Sequence, residues 1–600
     1  MGLVDVVSTL THVPALLKLK KGMKPRPLDV ADCFGARVEA NAANIGNNSA
    51  IVFEGKEVTW SELNGLANQY ANYLSANGIN RGDVVSLIME NRIEFLAIII
   101  GLNKLGATAG LINTNLRGKP LTHCITVTHS KKCIFGAELS EGISEVRDEL
   151  EFGKEDYLVV EDGQSVELDW ATNLSTAAEQ ASTDNPASTG EITLGDTALY
   201  IFTSGTTGLP KAAVLSNRRY LMSSDMSAIA GLKATPKDRV YLCLPLYHGT
   251  GLMIGAGAAM CSGASMFIRR KFSASNFLKE VREHGCTCFI YIGEVCRYLN
   301  NIDAQADDHK NPLRAMMGNG MRPDVWMDFK QRYGIKRVTE FYGSSEGNVA
   351  FANLMNKDQT VGMTSTEVAL VQYDVHNDEI VRDNQGRCIE VMPGEPGLLL
   401  GKITEDTVFE GYTDASATEK KILRDALEEG DAWFNTGDLM KVVDVGYTLG
   451  YDHYQFVDRV GDTFRWKSEN VSTNEVGEIL NGFEQINFCN IYGVEIPGTD
   501  GRAGMAAINL AEGVQELDLA AFSEFARQQL PAYAVPVFLR IQGDIDVTGT
   551  FKMVKGDLRE QAYHIDQFDD PVFVMKSGEQ VYSPLDADYL QQIKAAQAGF

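Results

Sequence analysis

The chain has 600 residues, of which 44% are hydrophobic and 22% are charged, a composition typical of a soluble globular protein with more than one domain. Its net charge of -26 and pI near 4.8 argue against nucleic-acid binding by the surface as a whole, because a polyphosphate backbone attracts clustered Lys and Arg. Nucleic acid is therefore not an expected partner.

The N-terminus joins an apolar segment to a basic one. The apolar residues come first: Leu3, Val4, Val6, Val7, Leu10, Val13, Leu16 and Leu17. The basic cluster follows: Lys18, Lys20, Lys21, Lys24 and Arg26. Residues 1–26 are therefore a candidate for peripheral contact with a membrane surface, and the alternative is a helix packed on the domain. No apolar stretch is long enough to cross a bilayer.

Helix and strand patterns alternate in the next part of the chain. Helices are predicted at 63–74, at 93–105 and from about Pro120, and strands at 84–89, 107–112 and 133–135. Residues 161–195 are polar and predict a long loop before a buried strand at 197–202. Further strands are predicted at 240–244, 264–268 and 289–292. Such alternation indicates α/β layers with parallel sheets.

The pattern changes after Arg459 to a compact mixture of helices and strands. Helices are predicted at 476–481 and 519–529, and strands at 491–494, 506–509 and 537–541. We therefore predict a large N-terminal α/β domain over residues 1–459, with helices flanking its parallel sheets, and a small α+β domain over residues 460–600.

The ten cysteines are scattered, and the nearest pair, Cys286 and Cys288, lacks partners at zinc-site spacing. Buried reduced thiols are therefore expected, and with them a cytoplasmic location.

A loop rich in glycine and hydroxyl groups follows the strand at 197–202. Its residues are Thr203, Ser204, Gly205, Thr206, Thr207 and Gly208, followed by Leu-Pro and Lys211. Small residues let backbone N–H groups approach an anion, hydroxyls add donors, and Lys211 supplies a positive charge. The glycine spacing is not that of a Walker A loop. The sequence therefore predicts a phosphate-binding loop, with a solvated turn as the alternative.

This loop resembles the phosphate-binding signature of the adenylate-forming superfamily, and further segments resemble that superfamily in the expected order. In Tyr342-Gly343-Ser344-Ser345-Glu346, the resemblance implies an aromatic ring stacked on adenine and a magnesium-binding Glu346. It also implies that Thr203 contacts the metal. Upstream, Gly318, Asn319 and Gly320 resemble the segment that lines the adenine and the acyl pocket.

The downstream segments imply ribose binding, a hinge and a catalytic lysine. Asp438 resembles the acceptor for both ribose hydroxyls, and Arg459 a second ribose ligand. Gly461 and Asp462 resemble the pivot between the domains, and Lys552, after Thr-Gly-Thr-Phe, the catalytic lysine. His248 resembles a residue near the acyl carboxylate, and a purely structural histidine is the alternative.

Within the superfamily, Leu111 to Arg117 and Gly461 to Lys467 resemble the fatty-acid transport protein, or very-long-chain acyl-CoA synthetase, branch. In this branch the segment corresponding to Lys467, Ser468 and Glu469 lines the pantetheine tunnel. Ser468 stands where the branch usually has Gly, and Asp546-Val547 replaces a common Pro-Lys before the lysine segment.

The resemblance implies a fatty acid:CoA ligase that uses ATP, Mg²⁺ and coenzyme A and works through an acyl-adenylate. A fatty acyl-AMP ligase and a carnitine-type CoA ligase keep the chemistry and change one substrate. A lipid carrier would need none of Glu346, Asp438 and Lys552. The segment Gly343 to Gly347 also fits G-x-S-x-G, which would make Ser345 a hydrolase nucleophile, but that reading leaves the Thr203 loop unexplained.

Overall fold

A computed structural model of the chain describes residues 3–22, 26–203, 210–344, 347–374, 379–460, 462–466, 469–499, 501–543 and 555–600. Two large sheets contain most strands of the N-terminal part. In spatial order, the strands of the eight-stranded sheet are Ala350–Ala352, Arg337–Gly343, Ala315–Asn319, Cys288–Ile292, Arg239–Leu242, Ser265–Ile268, Ser49–Phe53 and Lys56–Thr59. The inner strands pair in parallel, and the strand at each edge is antiparallel to its neighbour.

The second large sheet has seven strands. In order they are Thr172–Asn173, Tyr157–Val160, Lys132–Gly136, Val84–Ile88, Thr108–Leu111, Thr197–Thr203 and Lys211–Ser216. All pairs are parallel except the last. The predicted α/β class with parallel sheets is therefore confirmed. The region predicted as a polar loop is interrupted by the short strand at 172–173 and by the short helix Leu174–Ala177.

Helices cover the sheets and join their strands. The α-helices are Leu3–Leu10, Val13–Gly22, Phe34–Ile45, Trp60–Ala76, Ile93–Lys104, Gly118–Val127, Ser140–Val146, Leu174–Ala177, Asn217–Met226, Gly257–Ser262, Ala274–Glu283, Gly293–Asn301, Pro323–Arg332, Ala415–Glu419, Thr473–Leu480, Leu519–Gln529, Gly556–Gln561 and Ala587–Lys594. The helix Trp60–Ala76 begins three residues before its predicted start because Thr59 and Glu62 form a capping box. Among the described residues, no helix combines the length and apolar character needed to cross a bilayer.

A third sheet is antiparallel and stands beside the two large ones. Four of its strands are, in order, Val368–Val371, Gly397–Lys402, Ala432–Val443 and Ile422–Arg424, and the fifth, His453–Arg459, pairs with Ala432–Val443. Two short pairs complete this part of the chain: Tyr373–Asp374 with Glu379–Ile380, and Phe464–Trp466 with Glu469–Val471.

The C-terminal part has a hydrophobic core of its own, which runs from Phe464 to Ile593 and includes no residue before 464. Its sheet contains Ile486–Glu495, Arg502–Leu510, Phe538–Ile541, Val572–Val574 and Ser583–Pro584. One pair in it is parallel and the others are antiparallel. This core agrees with a small second domain, and the boundary at residue 460 stays a prediction.

The first two helices, Leu3–Leu10 and Val13–Gly22, form what we call the N-terminal hairpin. It packs on the large domain, since Leu19 lies in the main core and the Thr9 hydroxyl donates to the Tyr447 carbonyl at 2.9 Å. Val7, Leu10 and Leu17 are 55%, 48% and 62% exposed. The hairpin therefore combines a docked face with an outward apolar one, and membrane contact stays a prediction.

Candidate active site

A cavity of about 2620 Å³ lies where the sheets and the C-terminal part meet. It brings together many of the predicted site residues from distant parts of the chain. Those that line it are Lys211, His248, Asn319, Gly320, Tyr342, Gly343, Ser344, Asp438, Arg459 and Asp462. The predicted ATP and acyl regions therefore share one space.

The predicted phosphate loop connects two antiparallel strands that pair up to Thr203 and Lys211. Lys211 lines the cavity, and its ammonium lies 5.6 Å from the centre of the Tyr412 ring. Ser204, Gly205, Thr206, Thr207 and Gly208 lie outside the described residues. Their contact with phosphate stays a prediction, supported by the position of Lys211.

The predicted adenine segments are the ends of neighbouring parallel strands. The strand Ala315–Asn319 pairs with Arg337–Gly343, which places Gly318 opposite Glu340. Gly318 admits no side chain, because a Cβ there would lie 2.1 Å from the Tyr291 carbonyl oxygen. Asn319 accepts a hydrogen bond from the Thr250 hydroxyl at 3.1 Å. The carboxyl ends of parallel strands are where α/β folds bind nucleotides.

Asp438 and Arg459 face each other across the antiparallel strands of the third sheet. The Arg459 Nε lies 3.5 Å from the Asp438 carboxylate, and the Tyr342 hydroxyl donates to the same carboxylate at 2.5 Å. Burial and the Asp438 charge raise the pKa of the Tyr342 hydroxyl well above its usual value. Gly437, with a φ of +77°, lies just before Asp438 where the register of strand Ala432–Val443 against Gly397–Lys402 shifts. An aromatic ring, a carboxylate and a guanidinium therefore converge at one place, and their binding of a nucleoside stays a prediction.

His248 lines the cavity, and its ring lies 5.0 Å from that of Tyr247. Its place near the acyl carboxylate stays a prediction. Asp462 pairs with Arg559 at 2.5 Å and with Lys555 at 3.5 Å. The hinge candidate thereby holds two cations of the C-terminal part.

Several predicted residues lie outside the described part of the chain. They are Ser345, Glu346, Gly461, Lys467, Ser468 and Lys552, and the side chain of Glu469 belongs with them. In the ranges that the structure does describe, no group of three or more His, Cys, Asp and Glu side chains could hold a metal ion. The magnesium ligands Glu346 and Thr203 therefore stay predictions.

The structure adds three residues that the motifs did not identify. Arg219 donates from Nη2 to the Ser344 carbonyl at 2.7 Å, which joins the helix Asn217–Met226 to the adenine segment. The second residue is Glu340, which is buried beside Gly320. The third is Lys555, whose ammonium donates to the Thr473 hydroxyl at 2.7 Å. Burial lowers the pKa of the Lys555 ammonium. Lys555 could have been predicted as a site residue, because it stands three residues after Lys552 in the same lysine segment.

The parallel sheets and the cavity that Lys211 shares with Tyr342, Asp438 and Arg459 are those expected of a nucleotide-binding enzyme of the adenylate-forming class. The chain belongs to the AMP-binding enzyme family, whose model matches residues 38–413.

Named relatives resemble nearly the whole chain. The medium/long-chain-fatty-acid–CoA ligase FadD6 of Mycobacterium tuberculosis is 39% identical over 596 residues, which are 98% of this chain and 96% of that protein. Long-chain fatty acid transport protein 2 of Rattus norvegicus is 38% identical over 553 residues, 90% of this chain and 87% of its own length. The predicted family and branch are thereby confirmed.

Solved structures agree on the fold. An anthranilate CoA ligase, AuaEII, in complex with anthranoyl-AMP gives a TM-score of 0.76 at 21% identity, covering 91% of this chain and all of that one. ATP-bound MatB from Rhodopseudomonas palustris gives 0.73 at 22% identity, covering 89% and 99% of the two chains.

Proposed function

We propose that this protein joins a long-chain fatty acid to coenzyme A at the expense of ATP, through an acyl-adenylate that stays bound between two steps. The observation that carries this proposal is one cavity shared by the nucleoside cluster Tyr342, Asp438 and Arg459, by Lys211, and by an apolar part that we call the apolar channel. The apolar channel is lined by Met222, Met226, Met253 and Ile254. The names of its relatives, which include a medium/long-chain-fatty-acid–CoA ligase, support the same acid and acceptor.

ATP binding begins with the nucleoside. The acceptor-only carboxylate of Asp438 suits two adjacent ribose hydroxyls, and the Arg459 guanidinium lies 3.5 Å from it. In the structure Asp438 already accepts a bond from the Tyr342 hydroxyl, which fixes its direction. The ring of Tyr342 then offers its face to adenine beside Asn319 and Gly320.

In the first step an oxygen of the substrate carboxylate forms a bond to the α-phosphorus. The bond from that phosphorus to the bridging oxygen breaks, and its electron pair leaves with pyrophosphate. Two anions must approach each other, so positive charge decides the rate, and Lys211 with the proposed Lys552 supplies it. Glu346 and Thr203 are the proposed magnesium ligands, and the ion, when bound, would offset triphosphate charge.

In the second step the thiol sulfur of coenzyme A attacks the acyl carbonyl, AMP leaves, and the thiol proton goes to solvent. We assign this step to a rotation of residues 460–600 against residues 1–459, with Gly461 and Asp462 as the pivot. Lys467, Ser468 and Glu469 would then line the pantetheine path. The separate core of the C-terminal part and the ion pairs at Asp462 support such a division.

We place the enzyme in the cytoplasm, at the inner face of a membrane. All ten cysteines are free, nine of them buried, as expected for a reducing compartment. The exposed Val7, Leu10 and Leu17 of the N-terminal hairpin supply apolar contact for a lipid surface. Flotation with anionic liposomes tests this placement, and binding that does not depend on residues 1–26 would contradict it.

Mass spectrometry of the products tests the proposed reaction. With ATP, Mg²⁺, palmitate and coenzyme A, we expect palmitoyl-CoA, AMP and pyrophosphate in equal amounts. Asp438→Ala should abolish most turnover at low ATP, whereas Asp444→Ala, which changes an exposed carboxylate six residues on, should retain it. Release of acyl-AMP without a thioester would indicate an acyl-AMP ligase, and a preference for carnitine as the acid would indicate a carnitine-type CoA ligase. Turnover without ATP would indicate a hydrolase with Ser345 as its nucleophile.

A further inference from the structure

One wall of the apolar channel is the helix Asn217–Met226. Its cavity-lining residues include Arg219, Met222 and Met226, which share one face at helical spacing. Arg219 marks the nucleotide end, since it binds the Ser344 carbonyl. Met226 lies seven residues further along, about 10 Å at the helical rise of about 1.5 Å per residue. The channel therefore leads away from the nucleotide.

An adjoining wall is the π-helical segment Thr250–Ala256, in which Met253 and Ile254 line the cavity. Two buried serine hydroxyls join this wall to the first one. Ser224 donates to the Met253 carbonyl at 3.0 Å, and Ser227 donates to the Ile254 carbonyl at 2.7 Å. The two walls are therefore fixed to each other.

The N-terminal hairpin stands at the end of the channel opposite the nucleotide. His12, at the start of its second helix, accepts bonds from Arg337 at 3.1 Å and from Lys233 at 3.3 Å. Arg337 begins the strand that ends at Tyr342 and Gly343. Five residues at about 3.3 Å each therefore separate Arg337, to which His12 anchors the hairpin, from Tyr342 by about 16 Å. Burial and the cations Arg337, Lys233 and Lys357 lower the pKa of His12 to about 4, which keeps the ring neutral, and Arg337 and Lys233 share the single lone pair of its Nδ1.

From this anchor the second helix presents apolar side chains to the cavity: Val13, Leu16, Leu17 and Leu19. Leu19 is fixed in the main core, whereas Leu16 is half-buried and Leu17 is 62% exposed. Leu17 therefore touches the cavity on one side and solvent on the other. The hairpin is the rim of the channel at its distal end.

We propose that the tail of a long-chain acid packs against Leu16 and Leu17, so that the N-terminal hairpin selects acyl chain length. This inference rests on the proposed function, since it names the part of the same site that reads the substrate tail. A medium-chain acid ends between Met222, Met226 and Met253 and gains nothing from the hairpin. Each methylene of a longer acid that reaches the hairpin leaves water, which favours its binding.

Chain-length profiles of full-length variants test this inference. We expect Leu16→Ala to lower the ratio of kcat/KM for palmitate to that for octanoate by about tenfold, the effect of a few lost methylene contacts in an apolar pocket. Leu16→Trp should shorten the channel and penalise lignocerate more than palmitate. The matched control is Leu10→Ala, an exposed leucine of the first hairpin helix that does not line the cavity, and its ratio should equal that of the wild type.

Photocrosslinking provides a readout that does not depend on turnover. Palmitate with a diazirine at its methyl end should label the peptide around residues 13–19, and palmitate with the diazirine next to the carboxyl group should not. Labelling of other segments by the tail probe would overturn the inference. So would an equal loss of activity with octanoate and palmitate in Leu16→Ala, because the hairpin would then only support the fold. Tail labelling without any thioester would refute the proposed reaction and leave the hairpin contact standing.

Discussion

Glu340 is the buried carboxyl group from which the pH dependence of stability can be worked out. It lies in the strand Arg337–Gly343, is 3% exposed, and accepts the Met321 amide at 3.0 Å while the Tyr291 hydroxyl bonds its other oxygen. Burial raises its pKa to about 8 from a usual 4.5. The carboxyl group therefore holds a proton at neutral pH and supports the backbone at Gly320 and Met321, beside the proposed nucleotide site.

The sign and size of the effect follow from linkage. Below the unfolded pKa of 4.5 the carboxyl group is protonated in both the folded and the unfolded chain, so its ionisation does not change the free energy of unfolding. As pH rises towards 8, the unfolded chain loses its proton and the folded one keeps it, so stability falls. The full shift of roughly 3.5 units at about 1.4 kcal/mol each amounts to about 5 kcal/mol.

The isosteric Glu340→Gln removes the titration and keeps an acceptor for Met321 and a partner for Tyr291. We expect the variant to gain about 3 kcal/mol of unfolding free energy relative to the wild type between about pH 5.5 and about pH 8.5. Urea denaturation followed by circular dichroism at both pH values measures this difference. Parallel pH profiles for the two proteins would refute the reasoning, since they would mean that Glu340 titrates alike in both states.

Four further predictions concern the site. Asp438→Ala should lower kcat/KM for ATP about a hundredfold, the loss of hydrogen bonds to a charged group, with saturating ATP restoring most turnover. Lys552→Ala should slow pyrophosphate release about a hundredfold or more while thioester formation from supplied acyl-AMP persists, as rapid-quench assays can separate. Ser468→Gly should accelerate the CoA step and leave adenylation unchanged, and equal rates would remove the proposed pantetheine path from this segment. Arg297 is 4% exposed and lies 4.5 Å from the centre of the Phe488 ring, so it joins the N-terminal part to the C-terminal part. Arg297→Ala should therefore increase proteolysis between residues 460 and 470 severalfold. Unchanged cleavage would argue against that contact.

Local signals predicted much of the fold. The helix at 519–529 has the predicted limits, because Asp518 caps its first turn and its apolar face repeats at helical spacing. The strands at 84–88 and 108–111 lie within a residue or two of prediction, since their apolar runs are short and bounded by turns. The pairing of strand Ser49–Phe53 with Ser265–Ile268 was not predictable, because more than two hundred residues separate the partners.

The site was predictable where one motif supplies one group. Asp438 and Arg459 were each named from a short segment, and the sheet register that places them opposite each other needed the structure. Arg219 and Glu340 were missed because their roles depend on contacts with Ser344 and Met321, which no local pattern encodes. The hairpin was predicted as an apolar and basic segment, but its reach into the channel depends on a histidine bonded to residue 337.

The central claim is that the acid passes through an acyl-adenylate, and an isotope experiment tests it most directly. Palmitate labelled with oxygen-18 in its carboxyl group is incubated with the enzyme, ATP, Mg²⁺ and coenzyme A, and the nucleotide product is analysed by mass spectrometry. Because the carboxylate oxygen that attacks phosphorus stays with it when the thiol displaces AMP, the account predicts AMP carrying one labelled oxygen. Unlabelled AMP, or ADP with label in free phosphate, would contradict it.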